Sequence, residues 1–278
     1  MKIHKKSFTR NAGCCKSAII ALSIAGFVIQ TQAQPYTIVN KNSILDINVA
    51  SGPGGVNNWK IDGVDQLNLQ WFYYRVGNVG PEYPIENISI TPTVSAGSKS
   101  LTVTYANSSY SVRTVYSLTG GNVGSGTSEL SESITINNTS ATPLDFHFFQ
   151  YSDINIGGVT GGQSVQFYQN PSALSYYNFQ SGGYRSVNET VTPASHVEAA
   201  LYNQTLAKLT DGNPTTLSDI STAGPGDVTF AYQWDFTLAT GSSFQIQKLI
   251  GVVPEPSSLV LVSSGLIGLA FFRRQRKK

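Results

Sequence analysis

Residues 67–75 read Leu67-Asn68-Leu69-Gln70-Trp71-Phe72-Tyr73-Tyr74-Arg75. The stretch begins with apolar and polar residues in alternation and then becomes aromatic. Because successive side chains of a β-strand point to opposite faces, a period of two predicts a half-buried strand. Aromatic residues are also enriched in strands. This stretch therefore predicts a β-strand and indicates the fold class of the chain around it.

The same pattern recurs along residues 34–252, with glycine-rich turns between the segments. Roughly a dozen strands at such spacing predict an antiparallel sandwich or a barrel-like fold. The segment has no internal repeat of the kind that predicts a propeller. No Pro/Ser-rich linker divides it. We therefore predict one all-β, antiparallel β-sandwich-like domain over residues 34–252. The other predicted strands are 85–91, 101–105, 110–118, 133–137, 145–156, 164–169, 196–202, 227–238 and 244–252.

The formal net charge of +2 hides an uneven distribution, because ten of the basic residues lie near the two ends of the chain. Residues 34–252 contain eight Lys and Arg against fifteen Asp and Glu, so their net charge is 8 − 15 = −7. Binding to a phosphate backbone needs a basic face. This balance argues against a nucleic-acid partner.

The first 33 residues have the parts of a secretory signal peptide. A basic segment precedes an apolar run over residues 17–29, and the small residues Thr31 and Ala33 occupy the two positions that a signal peptidase recognises before the predicted cleavage site after Ala33. A retained membrane anchor is the alternative, but thirteen mostly apolar residues are short for a hydrocarbon core of about 30 Å. Both cysteines, Cys14 and Cys15, lie in this segment. We therefore expect signal peptidase to remove them, which leaves a body without disulfides or thiolate chemistry.

The C-terminal tail has three parts with different physical roles. Two prolines around one acid favour an extended stretch, because proline fixes φ and lacks a backbone donor. Sixteen uncharged residues follow and would form a helix of about 24 Å. The basic cluster behind them predicts that this end stays cytoplasmic and that the body lies outside. The assigned residues are Val253, Pro254, Glu255 and Pro256 in the processing motif; Ser257, Leu261, Leu266 and Phe272 in the membrane span; and Arg273, Arg274, Arg276, Lys277 and Lys278 in the basic tail.

This order of motif, short apolar helix and basic cluster resembles the PEP-CTERM sorting signal of bacterial exported proteins. The resemblance implies an exosortase-type processing enzyme as partner, anchoring in the inner membrane through the helix, and delivery of the body to the cell surface or extracellular matrix. A plain membrane anchor is the alternative. We accordingly divide the chain into a signal peptide at 1–33, an extracytoplasmic domain at 34–252 and a sorting signal at 253–278.

The body offers few candidates for catalysis. His147 and His196 are not spaced as metal ligands, and each is most simply a strand residue. Glu129 and Glu132 are three apart, so in a strand they point to opposite faces, and we expect both to be solvated. Asp153-Ile154-Asn155 before a glycine pair favours a turn over a calcium loop, since the terminal bidentate acid is missing. We therefore predict no enzymatic activity, no metal and no cofactor.

The aromatic clusters of the body allow two interpretations, an exposed binding surface or packing in the core. Exposed aromatic faces can stack on sugar rings or contact another protein, whereas core packing is their commoner role. The clusters are Trp71-Phe72-Tyr73-Tyr74, Phe167-Tyr168, and Tyr176-Tyr177 with Phe179.

The sequence thus supports a structural or adhesive surface protein. A carbohydrate-binding module is the alternative, and it predicts coplanar exposed aromatic residues on one sheet face. An enzyme acting on polysaccharide is a third hypothesis, and it predicts two converging carboxylates, or a histidine with a carboxylate, in a cleft.

Overall fold

The computed structural model describes residues 35–50, 54–89, 91–169, 176–181 and 185–254. Within these residues the regular secondary structure is almost entirely strand, as the alternating pattern predicts. One short helix, α1, spans Gln204–Leu209, and two 3₁₀ turns span Ile85–Ile88 and Ile156–Gly158. The strands are β1 Tyr36–Asn40, β2 Ser43–Asn48, β3 Gly55–Ile61, β4 Val64–Asp65, β5 Leu67–Val76, β6 Tyr83–Pro84, β7 Thr93–Ala96, β8 Ser100–Ala106, β9 Tyr110–Gly120, β10 Ser128–Asn138, β11 Leu144–Ile154, β12 Gln163–Gln169, β13 Tyr176–Ser181, β14 Arg185–Val191, β15 His196–Leu201, β16 Thr222–Gly226, β17 Val228–Leu238 and β18 Ser243–Pro254.

The strands form two sheets. Sheet A has the order β1-β2-β3-β5-β11-β17-β15, with β4 paired to β3 and β6 paired to β5. Sheet B has the order β16-β12-β13-β14-β18-β10-β9-β8-β7. The paired strands are antiparallel throughout both sheets. The prediction of an all-β antiparallel body is therefore confirmed.

The core lies between the two sheets and is rich in aromatic residues. Phe72 of β5 stacks on Phe148 of β11, with ring centroids 5.5 Å apart, and Phe148 contacts Trp234 of β17 at 6.3 Å. Across the core, the indole Nε1 of Trp59 donates a hydrogen bond to Ser128 of sheet B. Burial of each such side chain stabilises the fold by roughly 1.5–3 kcal/mol. One hydrophobic core therefore holds both sheets together.

Two segments differ from the predicted strands. Residues 85–88 form a 3₁₀ turn where we predicted a strand over 85–91. Pro84 just before it lacks a backbone donor, and the tight turn brings Glu86 to the indole of Trp71, with Nε1 and Oε2 2.5 Å apart. Strand β18 runs through Val253 to Pro254, two residues beyond the predicted domain boundary at Val252, and its end pairs with β14.

The remaining residues of the predicted processing signals lie outside the described residues. They are Ala33, Glu255, Pro256, the membrane span from Ser257 to Phe272, and the basic tail from Arg273 to Lys278. In the described part of the chain, no helix is both long and apolar enough to span a bilayer.

Candidate functional site

Both histidines of the body lie next to one carboxylate, Asp235, on sheet A. We call His147, His196, Asp219 and Asp235 the histidine–aspartate cluster. Strand β11 carries His147, and the antiparallel register places it directly opposite Asp235 on β17. The neighbours Phe146, Phe148 and Trp234 belong to the core, so alternation turns the cluster toward the opposite face of sheet A.

The first half of the cluster is a short, charge-assisted contact. Nδ1 of His147 lies 2.6 Å from Oδ1 of Asp235. Because a carboxylate can only accept, Nδ1 carries the proton and donates it. Nε2 of His147 has no hydrogen-bond partner among the described residues and lies 3.7 Å from Oδ2 of Asp145. The arrangement orients the imidazole and leaves Nε2 buried.

The second half joins His196 to two aspartates. Nδ1 of His196 lies 2.9 Å from Oδ2 of Asp219, and Nε2 lies 3.7 Å from Oδ2 of Asp235. Asp219 has a φ of +57°, in the left-handed region that disfavours most residues other than glycine. Its Oδ1 accepts a hydrogen bond from the backbone of Val197 at 3.3 Å. A strained backbone conformation at such a position is held in place by these contacts.

The side chain of Gln233 connects the cluster to the chain that covers sheet A. Its Nε2 donates to both oxygens of Asp235, at 2.8 and 3.0 Å, and its Oε1 accepts from the backbone of Leu217 at 2.8 Å. The contacts on this face therefore come from residues 204–219, which we call the overlying segment. This segment begins with α1 and ends at Asp219.

Further polar contacts tie the overlying segment to sheet A. Glu198 of β15 accepts hydrogen bonds from Thr205 at 2.7 Å, Lys208 at 2.7 Å and the backbone of Ser218 at 3.0 Å. Burial acts to raise the pKa of Glu198, but these three partners hold it below its ordinary value. Glu198 is therefore a buried carboxylate that needs its charge to hold the segment.

The same segment also meets a buried ion pair. Arg75 of β5 is in contact with Glu82, and both side chains are almost fully buried. Glu82 accepts a hydrogen bond from the backbone of Thr215 at 2.8 Å, and Arg75 donates one to the Thr215 carbonyl at 3.1 Å. Several polar contacts thus hold the overlying segment to sheet A. The histidine–aspartate cluster lies beside these contacts.

The cluster has one part of the geometry for proton transfer. A histidine held through Nδ1 by a carboxylate is typical of a general acid or base, but Nε2 of His147 is buried in this structure. The cluster does not suit a metal: no group of three or more His, Cys, Asp or Glu side chains in the described ranges is placed to hold one.

Sequence reasoning considered the two histidines separately and did not bring them together. His147 and Asp235 are 88 residues apart, and β15 brings in His196 from a third strand. The sequence did contain one signal for this pairing. A polar residue stands between two aromatic ones in both Phe146-His147-Phe148 and Trp234-Asp235-Phe236. Matching triplets of this kind predict two strands with one polar position on the same face.

Most of the quoted aromatic residues whose side chains are described turn out to belong to the core. Trp71 and Phe72 are 1% exposed, and Tyr73 and Tyr74 are 7% exposed. Burial, with the nearby Glu86 charge, raises the pKa of Tyr73 to about 12. Tyr168 is the exception, with 44% exposure. The side chains of Tyr176, Tyr177 and Phe179 lie outside the description.

Two depressions open on sheet B. One, of 460 Å³, is lined by β10, β14 and β18 through residues that include Ser131, Thr190 and Leu249. The other, of 340 Å³, lies between β12 and β16 and is lined by Ser164, Gln166 and Tyr168 among others. In the second, the Tyr168 hydroxyl donates to Oε1 of Gln166 at 2.5 Å. An exposed ring beside amide and hydroxyl groups is chemically suited to a sugar.

Asp153, for which we predicted a turn, lies near the end of strand β11 and serves the fold. Asp153 is buried and accepts a hydrogen bond from Nδ2 of Asn68 at 2.8 Å. Desolvation raises its pKa, the bond from Asn68 opposes this rise, and the charge of Asp227 adds to it. A 3₁₀ turn follows at Ile156–Gly158, as the glycine pair suggested.

The fold is similar to that of several solved structures. A bacterial glucoamylase complexed with acarbose superposes with a TM-score of 0.57 at 8% identity, over 85% of this chain and 34% of that chain. Galactose 1-epimerase from Lactobacillus acidophilus NCFM gives 0.51 at 9% identity, over 80% of this chain and 95% of that chain. A galactose mutarotase related enzyme from Lactobacillus acidophilus gives 0.50 at 9% identity, over 80% and 98% of the two chains.

This chain spans about a third of the length of that glucoamylase. At such low identities the likeness is one of fold alone. The body therefore has an all-β, antiparallel fold similar to that found in these three proteins. No curated protein matches the sequence.

The tail is identified by its own sequence. Residues 252–277 match the PEP-CTERM protein-sorting motif. The resemblance drawn from Pro254-Glu255-Pro256, the apolar segment and the basic cluster is thereby confirmed. The motif implies exosortase-dependent export and sorting to the cell surface.

Proposed function

We propose that this chain is a surface or extracellular-matrix protein with a structural or adhesive role, delivered there after exosortase processing of its tail. The match of residues 252–277 to the sorting motif carries the proposal. A body with a net charge of −7 and no cysteine is compatible with work outside the cell, where it must hold its fold without disulfides. This role requires no catalysis.

Intact mass of the protein from membranes and from the medium tests the sorting step. The wild type is compared with a Pro254→Ala/Glu255→Ala/Pro256→Ala variant. We expect the wild type to lose residues 1–33 and the tail from near Pro254, and the variant to keep the tail. The matched control is Glu129→Ala, which removes an exposed acid from β10 and leaves the motif intact.

Two results would contradict the sorting step. One is a wild-type mass that includes the sequence through Lys278 in every fraction. The other is a triple variant processed as fast as the Glu129→Ala control. The first result would leave a membrane-anchored protein with an outward-facing body, and the second would mean that the tail is removed without recognition of Pro254-Glu255-Pro256.

The location of β18 adds a physical requirement for processing. Val253 and Pro254 pair with Ser186 and Arg185 of β14, so the first residues of the motif are part of sheet B. A processing enzyme binds an extended chain most readily when that chain is free of ladder bonds. We therefore propose that the last residues of β18 separate from β14 before cleavage.

Carbohydrate binding is the second candidate function, and the depression beside Tyr168 favours it. Its exposed ring, with Gln166 and Ser164 alongside, provides a stacking face and hydrogen-bonding groups. The proteins of similar fold are by their titles a glucoamylase with acarbose and two galactose-directed enzymes. The sugar chemistry of those proteins makes a glycan a reasonable ligand to test.

Affinity electrophoresis through gels containing soluble polysaccharides tests this candidate. Loss of a stacking ring worth roughly 0.5–1.5 kcal/mol weakens binding by about tenfold at most, so we expect Tyr168→Ala to reduce retardation measurably. Tyr202→Ala is the matched control, because Tyr202 is also an exposed tyrosine, at 54%, away from this depression. Equal retardation of both variants and the wild type would exclude the Tyr168 surface as the binding site.

A non-enzymatic role also makes a prediction for the histidine–aspartate cluster. We expect His147→Ala to leave every activity on polysaccharides at the level of the wild type. Reducing-sugar release from a polysaccharide panel is the measurement. Release by the wild type that His147→Ala abolishes would replace this proposal with an enzymatic one.

A further inference from the structure

A buried charged cluster lies between the two sheets, away from the histidine–aspartate cluster. It contains Lys248 of β18, Glu132 of β10 and Glu189 of β14. The side chains of Lys248 and Glu189 are 0% exposed, and that of Glu132 is 1% exposed. Our expectation that Glu132 is solvated was therefore wrong: Glu129 and Glu132 do face opposite ways, but Glu132 is on the core side of β10.

The sheet register explains how three distant residues meet. Lys248 lies directly opposite Glu132 on one side and Val191 on the other. Glu189 precedes Val191 by two residues, so it points to the same face of β14. The ammonium of Lys248 is in contact with Oε2 of Glu132 and lies 3.1 Å from Oε1 of Glu189.

Amides from sheet A complete the surroundings. Nε2 of Gln70 donates to Oε1 of Glu132 at 2.6 Å, and Nε2 of Gln150 lies 3.3 Å from Oε1 of Glu189. The ring of Phe72 is 6.0 Å from the ammonium. Oε2 of Glu189 has no hydrogen-bond partner among the described residues. Each carboxylate thus accepts a hydrogen bond from an amide of sheet A, and Glu189 keeps one oxygen available for a proton.

Burial makes this arrangement of charges costly. Removing an ion pair from water costs several kcal/mol per ion, and the pair's attraction offsets this cost only in good geometry. Burial raises the pKa of Glu189, although the neighbouring Lys248 opposes the rise. A proton moved from the ammonium to a carboxylate leaves a neutral amine in contact with a neutral acid.

We propose that Lys248 and Glu132 condense into an intramolecular isopeptide bond, so that this is an autocatalytic crosslinking site. Lys248 is the nucleophile, because a desolvated lysine amine can attack a carbonyl carbon. Glu132 is the acyl donor and Glu189 is the proton shuttle. No cofactor or second substrate is needed.

The proton of the Lys248 ammonium passes to Oε2 of Glu132, and the neutral Nζ attacks Cδ of Glu132. The amide of Gln70 stabilises the charge that develops on Oε1. Glu189 takes a proton from Nζ and returns it to Oε2, the Cδ–Oε2 bond breaks, and one water leaves. The new Nζ–Cδ bond removes one positive and one negative charge from the core.

The crosslink would join β10 to β18, the strand that leads into the sorting motif. A body without cysteine has no disulfide to resist unfolding outside the cell. A covalent tie between neighbouring strands constrains the unfolded chain in the same way that a disulfide does. The proposal does not depend on the sorting of the tail.

Peptide mapping of the denatured full-length protein tests the crosslink. Trypsin does not cut after an acylated lysine, so the peptide that begins at Leu209 should continue past Lys248. We expect it to be joined to the peptide of residues 114–185, which contains Glu132. The joined pair should weigh one water less than the sum of its parts. Wild-type cleavage after Lys248 into linear peptides would overturn the proposal.

Three variants assign the roles. Lys248→Arg should abolish the joined peptide, and Glu189→Gln should lower its yield at matched times, since a positioned acid or base contributes roughly 10²–10⁴-fold to rate. Lys208→Arg is the control, because Lys208 pairs with Glu198 at 2.7 Å but is 41% exposed. It should leave the joined peptide unchanged. A branch to residues 186–208, which contain Glu189, would overturn the assignment of Glu132 as acyl donor.

Discussion

His147 and Asp235 lie directly opposite one another on β11 and β17, with Nδ1 and Oδ1 2.6 Å apart. In both strands an aromatic residue on either side is directed to the core, so packing sets the position of the polar residue between them. The contact therefore follows from the register of the sheet. It links the histidine–aspartate cluster to the packing of the core.

Replacement of Asp235 by Asn should remove the preference of His147 for one tautomer. The carboxylate holds the proton on Nδ1, whereas an amide can offer either an acceptor or a donor. We expect the Nδ1-protonated form of neutral His147 to lose its dominance, as measured from the imidazole ¹⁵N shifts. Asp219→Asn is the control, since Asp219 contacts Nδ1 of His196 and does not contact His147. Unchanged His147 shifts in Asp235→Asn would contradict the assigned contact.

Replacement of Trp71 by Phe should destabilise the fold. The indole Nε1 donates to Oε2 of the buried Glu86 at 2.5 Å, and Oε1 of Glu86 is held by the backbone of Gly54 at 3.1 Å. Loss of one donor to a buried carboxylate costs about 1–3 kcal/mol. Urea unfolding measures this loss. Tyr168→Phe is the control on an exposed aromatic, and an equal change in both variants would refute the special role of Trp71.

Glu198 should make stability fall in acid. Its folded pKa lies below the ordinary value, so its contribution is present above the unfolded pKa and is lost as the pH falls through the folded pKa. Glu198→Gln should cost about 1–3 kcal/mol at neutral pH, through weaker bonds to Lys208 and Ser218. The variant should lose less stability than the wild type between neutral pH and acid. Unfolding curves at several pH values that remain parallel for the two proteins would rule this out.

Asp153 should have the opposite effect. Desolvation raises its folded pKa, so its contribution to stability is present below the unfolded pKa and is lost as the pH rises through the folded pKa. Asp153→Asn keeps an acceptor for Asn68 and removes the titration. We expect the stability of this variant to fall less than that of the wild type as the pH rises from acid toward neutrality. A steeper fall in the variant would show that the charge of Asp153 is stabilising.

Much of the fold could be predicted from the sequence. Alternation in Leu101 to Tyr105 and Ser133 to Asn137 predicted strands that the structure contains within β8 and β10. The pattern did not predict the 3₁₀ turn at Ile85–Ile88, where Glu86 meets the indole of Trp71, because that contact joins two different elements of the fold. Nor could it predict that Glu132 is buried, since a carboxylate normally implies solvent unless a partner such as Lys248 is known.

The sequence by itself determined the sorting tail and the all-β class. Both depend on order and periodicity within short segments: Pro254-Glu255-Pro256 ahead of an apolar run, and a period of two along the strands. The tertiary structure decided which side chains meet. His147 reaches Asp235, and Lys248 reaches Glu132 and Glu189, because antiparallel register joins positions far apart in the chain. Local pattern cannot specify such pairs, since the choice of neighbouring strand depends on the packing of the whole core.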